Sequence, residues 1–219
     1  MIISIHLRKC AGTTFRDQLV ATYGHKVLFD YGDEVGSSWP TSLDKRKISK
    51  EKVSCSIQNL KNTYSIIHGH FYKSKYDSIN GNKKYITFLR HPVERLLSNY
   101  YYLKRSFDRS NPDSLIVNKL DFSLDEYIRD KDSCNLQSEY LEATSLEGLD
   151  FVGITEQYNK SMEKLGSMLD VTFGSTSSRN VNPNKHQDYK INQITKKLIL
   201  KYNEIDYELY RLGLEKLND

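Results

Sequence analysis

Short apolar runs alternate with longer amphipathic stretches along the chain, and the two spacings place the elements. Met1–Leu7 (MIISIHL), Tyr64–Gly69 (YSIIHG), Tyr85–Leu89 (YITFL) and Phe151–Ile154 are β-favouring runs bounded by polar or glycine-containing segments. Such runs suit strands buried on both faces of a parallel sheet. Helical patterns occupy Phe15–Tyr23, Pro92–Leu103, Phe122–Arg129 and Glu156–Leu169, and Ile191–Leu217 carries one or two more. Pro92 fits the first position of its helix, where the missing amide hydrogen has no partner to lose. Gly24–Lys52 holds Gly, Ser, Pro, many charges and the single tryptophan, Trp39, with weak periodicity, so it reads as irregular or as a surface insertion. Ser175–Tyr189 reads as a polar loop containing Asn and Pro. The recurring strand, loop, helix order predicts an α/β fold with a mostly parallel central sheet flanked by helices and a ligand crevice at the carboxyl ends of the strands. With no internal repeat or linker, 219 residues suit a single domain over 1–219.

Composition narrows the class. An apolar content of 38% with 11% aromatics and interspersed charge is that of a globular chain, not a disordered one. The 16 tyrosines suit core edges, ring inward and hydroxyl wet. A net charge of +4 argues against a broad nucleic-acid face and leaves room for a local anion pocket. Cys10, Cys55 and Cys134 are odd in number and widely spaced, giving neither a disulfide framework nor a CxxC metal site, so a reducing compartment is expected. No run reaches the ~18 apolar residues of a membrane span, and the N-terminus enters a strand pattern directly, without a secretory signal pattern. These features predict a soluble cytoplasmic protein with no membrane span.

Candidate chemistry sits where strands hand over to helices. Arg8-Lys9-Cys10-Ala11-Gly12-Thr13-Thr14 follows the first strand: small residues flanked by a lysine and two hydroxyls. Backbone amides, a helix N-terminus, Thr13, Thr14 and Lys9 together can cradle an anion. A nucleoside-triphosphate loop of the form GxxxxGK[ST] has its lysine after the glycines; here Lys9 precedes them, which disfavours a kinase or ATPase. Taken alone, the segment fits a threonine-capped turn equally well. Arg90-His91-Pro92-Val93-Glu94-Arg95, with Ser98, places an arginine at a strand end and a hydroxyl two turns into the next helix. That is a second anion site, or in isolation a helix cap with surface ion pairs. His68-Gly69-His70 closes the YSIIHGH run, and alternation can point both rings to one side. They are a candidate base pair, a structural pair or, with no nearby Cys or acidic partner, a poor metal site.

Together these segments resemble the carbohydrate sulfotransferases of the heparan and dermatan/chondroitin uronyl 2-O-sulfotransferase type and their bacterial relatives. HLRKCAGTTF is similar to that family's 5′-phosphosulfate loop, hPK-T-A-[GS]-T-[ST]-[FL]. FLRHPVERLLSNYYYLK is similar to its 3′-phosphate segment, [LI]-R-[DH]-P-[VI]-x-R-x-x-S-x-[YF]-Y, and IIHGHF and FVGITEQYNKSMEKL match in order and spacing. The resemblance runs over residues 2 to 169 and leaves 24–60 and 104–148 without a match. Arg8 stands where the family often has proline, Cys10 where it has threonine, and His91 where aspartate is frequent.

The resemblance implies a three-layer P-loop-type fold and transfer of a sulfuryl group from 3′-phosphoadenosine-5′-phosphosulfate (PAPS), without a metal, to a hydroxyl of a carbohydrate. It assigns Arg8, Lys9, Cys10, Ala11, Gly12, Thr13 and Thr14 to the 5′-phosphosulfate, Lys9 also to the leaving oxygen, Arg90 and Ser98 to the 3′-phosphate, and His70 to the general base. His6, His25, His91 and His186 read as structural or solvent-facing. Lys185 could close over the nucleotide, and Lys73 and Lys75 could attract an anionic glycan; solvated lysines fit equally well. Rival readings are sulfation of a small molecule, lipid or tyrosine, a P-loop nucleotide kinase, and a non-catalytic nucleotide-binding protein.

Overall fold

A computed structural model describes residues 1–31, 43–106, 119–174 and 189–219. Five parallel strands form one sheet: β1 (Ile2–Ile5), β2 (Val27–Asp30), β3 (Ile66–Gly69), β4 (Lys84–Leu89) and β5 (Phe151–Ile154), in the order β2-β3-β1-β4-β5. The helices are α1 (Gly12–Tyr23), α2 (Leu43–Thr63), α3 (Pro92–Ser106), α4 (Leu124–Arg129), α5 (Leu136–Leu141), α6 (Tyr158–Leu169), α7 (Gln193–Tyr202) and α8 (Glu204–Asn218). This is the α/β architecture expected from the alternating pattern. The four strands read from the sequence all form, and the C-terminal segment holds two helices.

Both faces of the sheet are covered, which is why β3 and β5 are buried at every position. On β4, Phe88 meets Phe15 of α1 and Tyr158 of α6, while the next residue, Leu89, faces α8 across from Gly213. A second apolar cluster, with Leu96, Leu97, Tyr127 and Ile199, joins α3, α4 and α7 beside the sheet. Among the described residues no helix is long and apolar enough to cross a membrane.

Local chemistry sets several boundaries. The N-cap of α4 is Ser123, whose Oγ accepts from the Glu126 amide at 3.3 Å while its own amide donates to Glu126 Oε2 at 2.8 Å. This capping box starts the helix at Leu124 instead of Phe122. Asn192 caps α7 through the Thr195 amide at 2.8 Å. The region read as irregular, Gly24–Lys52, instead contributes edge strand β2 and the start of α2. Trp39, Lys185 and His186 lie outside the described residues.

The strand order places a topological switch at β1, since the chain leaves it for β2 and β3 on one side and reaches β4 and β5 on the other. Loops at the carboxyl ends of the strands diverge there and open a crevice. The segments after β1, β3 and β4 are those holding Arg8–Thr14, His70 and Arg90.

Candidate active site

The loop between β1 and α1 is wound tightly. Lys9 (φ 65°) and Ala11 (φ 59°) both take the left-handed backbone conformation, which costs a non-glycine residue roughly 1–3 kcal/mol and persists only where the surroundings enforce it. Left-handed turns of this kind gather successive amides into an anion-binding concavity. Ala11 stands at the N-cap of α1 and offers the first-turn amides no side-chain acceptor. Arg8 and Lys9 are half-buried, Thr13 is exposed and Thr14 is buried. Cys10 turns inward: its thiol donates to Gln137 Oε1 at 3.6 Å, and burial pushes its pKa up to about 12. The Cys10 thiol is thus taken up by the Gln137 side chain and by the Arg8 carbonyl, 3.5 Å away, and leaves its backbone amide as the group it can offer a ligand.

Arg90 ends β4 beside this loop, and its Nη1 donates to the Lys9 carbonyl at 2.9 Å. The two candidate anion segments are therefore joined directly. Nη2 meets Glu94 at 3.5 Å, and Nε, buried and without a hydrogen bond, has Glu156 Oε1 at 4.0 Å. A buried guanidinium N–H left without an acceptor fits a site that receives an anion. Tyr102 of α3 stands against the same loop, with Lys9 Nζ 3.9 Å from the centre of its ring, and Ser98 lies four residues before it on the same helical row. Burial and repulsion from Arg90 and Arg105 push Lys9 down to about 8. Lys9, Arg90 and Arg105 thus lie close enough to raise the positive potential at this loop. His91 caps α3, its Nδ1 accepting from the Val93 amide at 3.3 Å, so it does the work of the aspartate frequent at that position.

Past the end of β3 lies a group of histidines. His68 is buried, with Nδ1 2.8 Å from Ser4 Oγ, and the Phe15 and Phe29 rings pack edge-on around it. His70 is part-exposed. Both rings stack on His6, with centroids 5.1 and 4.0 Å away, and Tyr31 stands edge-on to His70 at 5.0 Å. His70 Nδ1 lies 2.5 Å from the His6 carbonyl oxygen. Since that oxygen only accepts, Nδ1 carries the hydrogen, and in the neutral ring the lone pair able to take a proton belongs to Nε2. Burial, then the neighbouring His6 and Arg8, holds the His70 pKa well below the ordinary imidazole value. His6, read from sequence as structural or solvent-facing, is half-buried, with a pKa lowered to about 3 chiefly by desolvation. It packs against both candidate loops.

Two glycines are dictated by close approach. A Cβ on Gly69 would lie 1.7 Å from the Asp30 carbonyl of β2, and one on Gly12 would lie 1.6 Å from His6 Nε2. Alanine at a first helical turn is ordinarily favourable, but at Gly12 it must evict the His6 ring from its stack on His70. Gly12→Ala is expected to lose ~1–3 kcal/mol of stability, the scale of an overpacked core, and most activity; thermal denaturation with unchanged Tm would contradict this.

Lys75 is buried and paired with Asp30 at 2.6 Å, so it is unavailable to an anionic acceptor, and Lys73 Nζ lies 5.5 Å from the centre of the Tyr85 ring. Among the described residues there is no group of three or more His, Cys, Asp or Glu side chains arranged to hold a metal ion. Sequence reasoning missed His6, Tyr31 and Gln137, the last of which holds Arg90 through both backbone groups.

A family model described as the sulfotransferase family matches residues 1–212. No curated protein sequence matches the chain. Among solved structures, the mouse sulfotransferase SULT7A1 complexed with PAP is similar at 12% identity and a TM-score of 0.49, covering 98% of this chain and 88% of that one. An unliganded sugar kinase from Janibacter sp. HTCC2649 is similar at 13% identity and a TM-score of 0.43, covering 78% of this chain and 95% of that one.

Proposed function

The chain belongs to the sulfotransferase family, and from that premise we propose that it carries a sulfuryl group from PAPS to a hydroxyl of a carbohydrate. The loop Arg8–Thr14 receives the 5′-phosphosulfate, Arg90 and Ser98 receive the 3′-phosphate, and His70 removes the acceptor's proton. The observation that carries this reading is the hydrogen bond joining Arg90 to Lys9 at adjacent strand ends, with His70 at the end of β3 on the other side of β1. The carbohydrate acceptor rests on the likeness of the four motifs to uronyl 2-O-sulfotransferases.

The donor supplies the sulfuryl group: a bond forms from the acceptor oxygen to sulfur as the bond from sulfur to the 5′-phosphate oxygen breaks. Such in-line transfer is catalysed by positioning and by neutralising charge that develops on the departing oxygen. Lys9 and the amides of the tight loop provide that positive potential. His70, neutral at physiological pH and with Nδ1 tied to the His6 carbonyl, accepts the hydroxyl proton at Nε2. Desolvation keeps the ring neutral before the reaction, and the anionic sulfate ester formed beside it favours the imidazolium afterwards.

Titration with 3′-phosphoadenosine-5′-phosphate (PAP) tests the donor site. A hundredfold excess over Kd is expected to stabilise the fold by about 2.7 kcal/mol, read as a rise in Tm, with ATP and Mg²⁺ weaker. Stronger binding of ATP with Mg²⁺ than of PAP would turn the reading toward a kinase. Radiolabelled transfer to glycans, simple alcohols and tyrosine peptides then distinguishes the acceptor classes.

A further inference from the structure

Gln137 lies in the first turn of α5, fully buried, and belongs to none of the motifs above. Its carboxamide grips the backbone of Arg90 from both sides: the Arg90 amide donates to Oε1 at 2.8 Å, and Nε2 donates to the Arg90 carbonyl at 2.9 Å. It thereby does for Arg90, just past the end of β4, what a neighbouring strand does for the residues before it. The same Oε1 takes the Cys10 thiol at 3.6 Å. One side chain thus touches both anion-binding segments. Gln137 is itself anchored, because Asp206 of α8 accepts from the amides of Gln137 at 3.1 Å and Ser138 at 2.8 Å.

We propose that Gln137 is the positioning residue for the 3′-phosphate: it fixes the backbone from which the Arg90 guanidinium projects and ties it to the phosphate loop at Cys10. This rests on the reading of Arg90 as the ligand of that phosphate. A guanidinium at the end of a long side chain takes its placement from the orientation of its own Cα. Without the carboxamide, the Arg90 amide and carbonyl lose their partners and the residue turns to recover them. A displacement near 1 Å is enough to spoil a bidentate anion contact. The loss falls on ligands bearing a 3′-phosphate and spares those without one.

The experiment compares Kd for PAP and for adenosine 5′-phosphate by titration calorimetry in the unsubstituted protein, Gln137→Met, Gln137→Glu and Arg90→Ala. Gln137→Met keeps the volume and removes both hydrogen bonds. It is expected to weaken PAP by about tenfold or more while changing adenosine 5′-phosphate by less than about twofold. Gln137→Glu retains an acceptor for the Arg90 amide and is expected to fall between. Equal weakening of both nucleotides, or a lowered Tm with an unchanged ratio, marks a merely structural role and overturns the inference. If Gln137→Met does not fold, the ratio in Gln137→Glu decides alone. Loss of discrimination in Arg90→Ala but not in the Gln137 variants sinks this inference only; an unchanged ratio in Arg90→Ala sinks the assignment of Arg90 itself.

Discussion

Replacing His70 with alanine is expected to lower kcat by ~10²–10⁴-fold, the usual contribution of a positioned general base, and to leave the affinity for PAP unchanged. The two effects separate because His70 follows β3, whereas the proposed donor contacts follow β1 and β4. The pH profile carries a further signature. The folded His70 pKa is held well below 6.5 by burial and by His6 and Arg8, so the ring stays unprotonated as pH falls through the ordinary imidazole range. The acid limb of kcat is therefore expected well below pH 6.5, and it should vanish in His70→Ala. Stability follows the same sign: the unfolded chain binds the proton first, so stability is present above the unfolded pKa and declines as pH drops below it. His68→Ala serves as the control, since that ring is enclosed by Ser4, Phe15 and Phe29 and its loss acts on folding. A fall of less than about tenfold in His70→Ala, with the acid limb in place, would remove His70 from the role of base.

Asp206→Ala is expected to destabilise the protein by ~3–5 kcal/mol, the scale of a buried pair that loses one member. Arg95 and Asp206 are 1% and 0% exposed, with Nε and Oδ2 3.8 Å apart, and Arg95 Nη2 donates to the Ser133 carbonyl at 2.8 Å. Removing the carboxylate leaves the guanidinium charge buried without its counter-ion and frees the amides of Gln137 and Ser138. Urea denaturation reads the loss as a lowered midpoint with an unchanged slope. A change below about 1 kcal/mol would show that this pair is worth no more than an exposed one.

The parts of this site that were legible in the sequence are those carried by local signals. Met1–Leu7, Tyr85–Leu89 and Phe151–Ile154 announce buried strands by composition, and the segments after the first two stand out by residue type as candidates for an anion. Four residues, VLFD, were too few to read as β2 between Gly24, His25 and Lys26 before it and the charged stretch after it. In α2 the signal was present in Val53, Ile57 and Leu60, spaced to fall on one helical face, yet it is thin among lysines. His6 and Gln137 were beyond reach for a different reason. The work of His6 depends on a carbonyl meeting His70, 64 residues away, and that of Gln137 on a backbone 47 residues away. Neither pairing has a local period. The histidine motif was legible as a candidate base, but not the depressed pKa, because desolvation is a property of the packed protein.

The cap that Asp206 provides joins residues separated by 68 and 69 positions, and through Gln137 it reaches the arginine at the end of β4. During synthesis, the loop after β1 can find its sheet partners β3 and β4 once residue 89 has left the ribosome. The arginine half must wait for residue 206. On the proposed role of Arg90, a nascent chain completes its site for the 3′ end of the donor only after residue 206 has emerged.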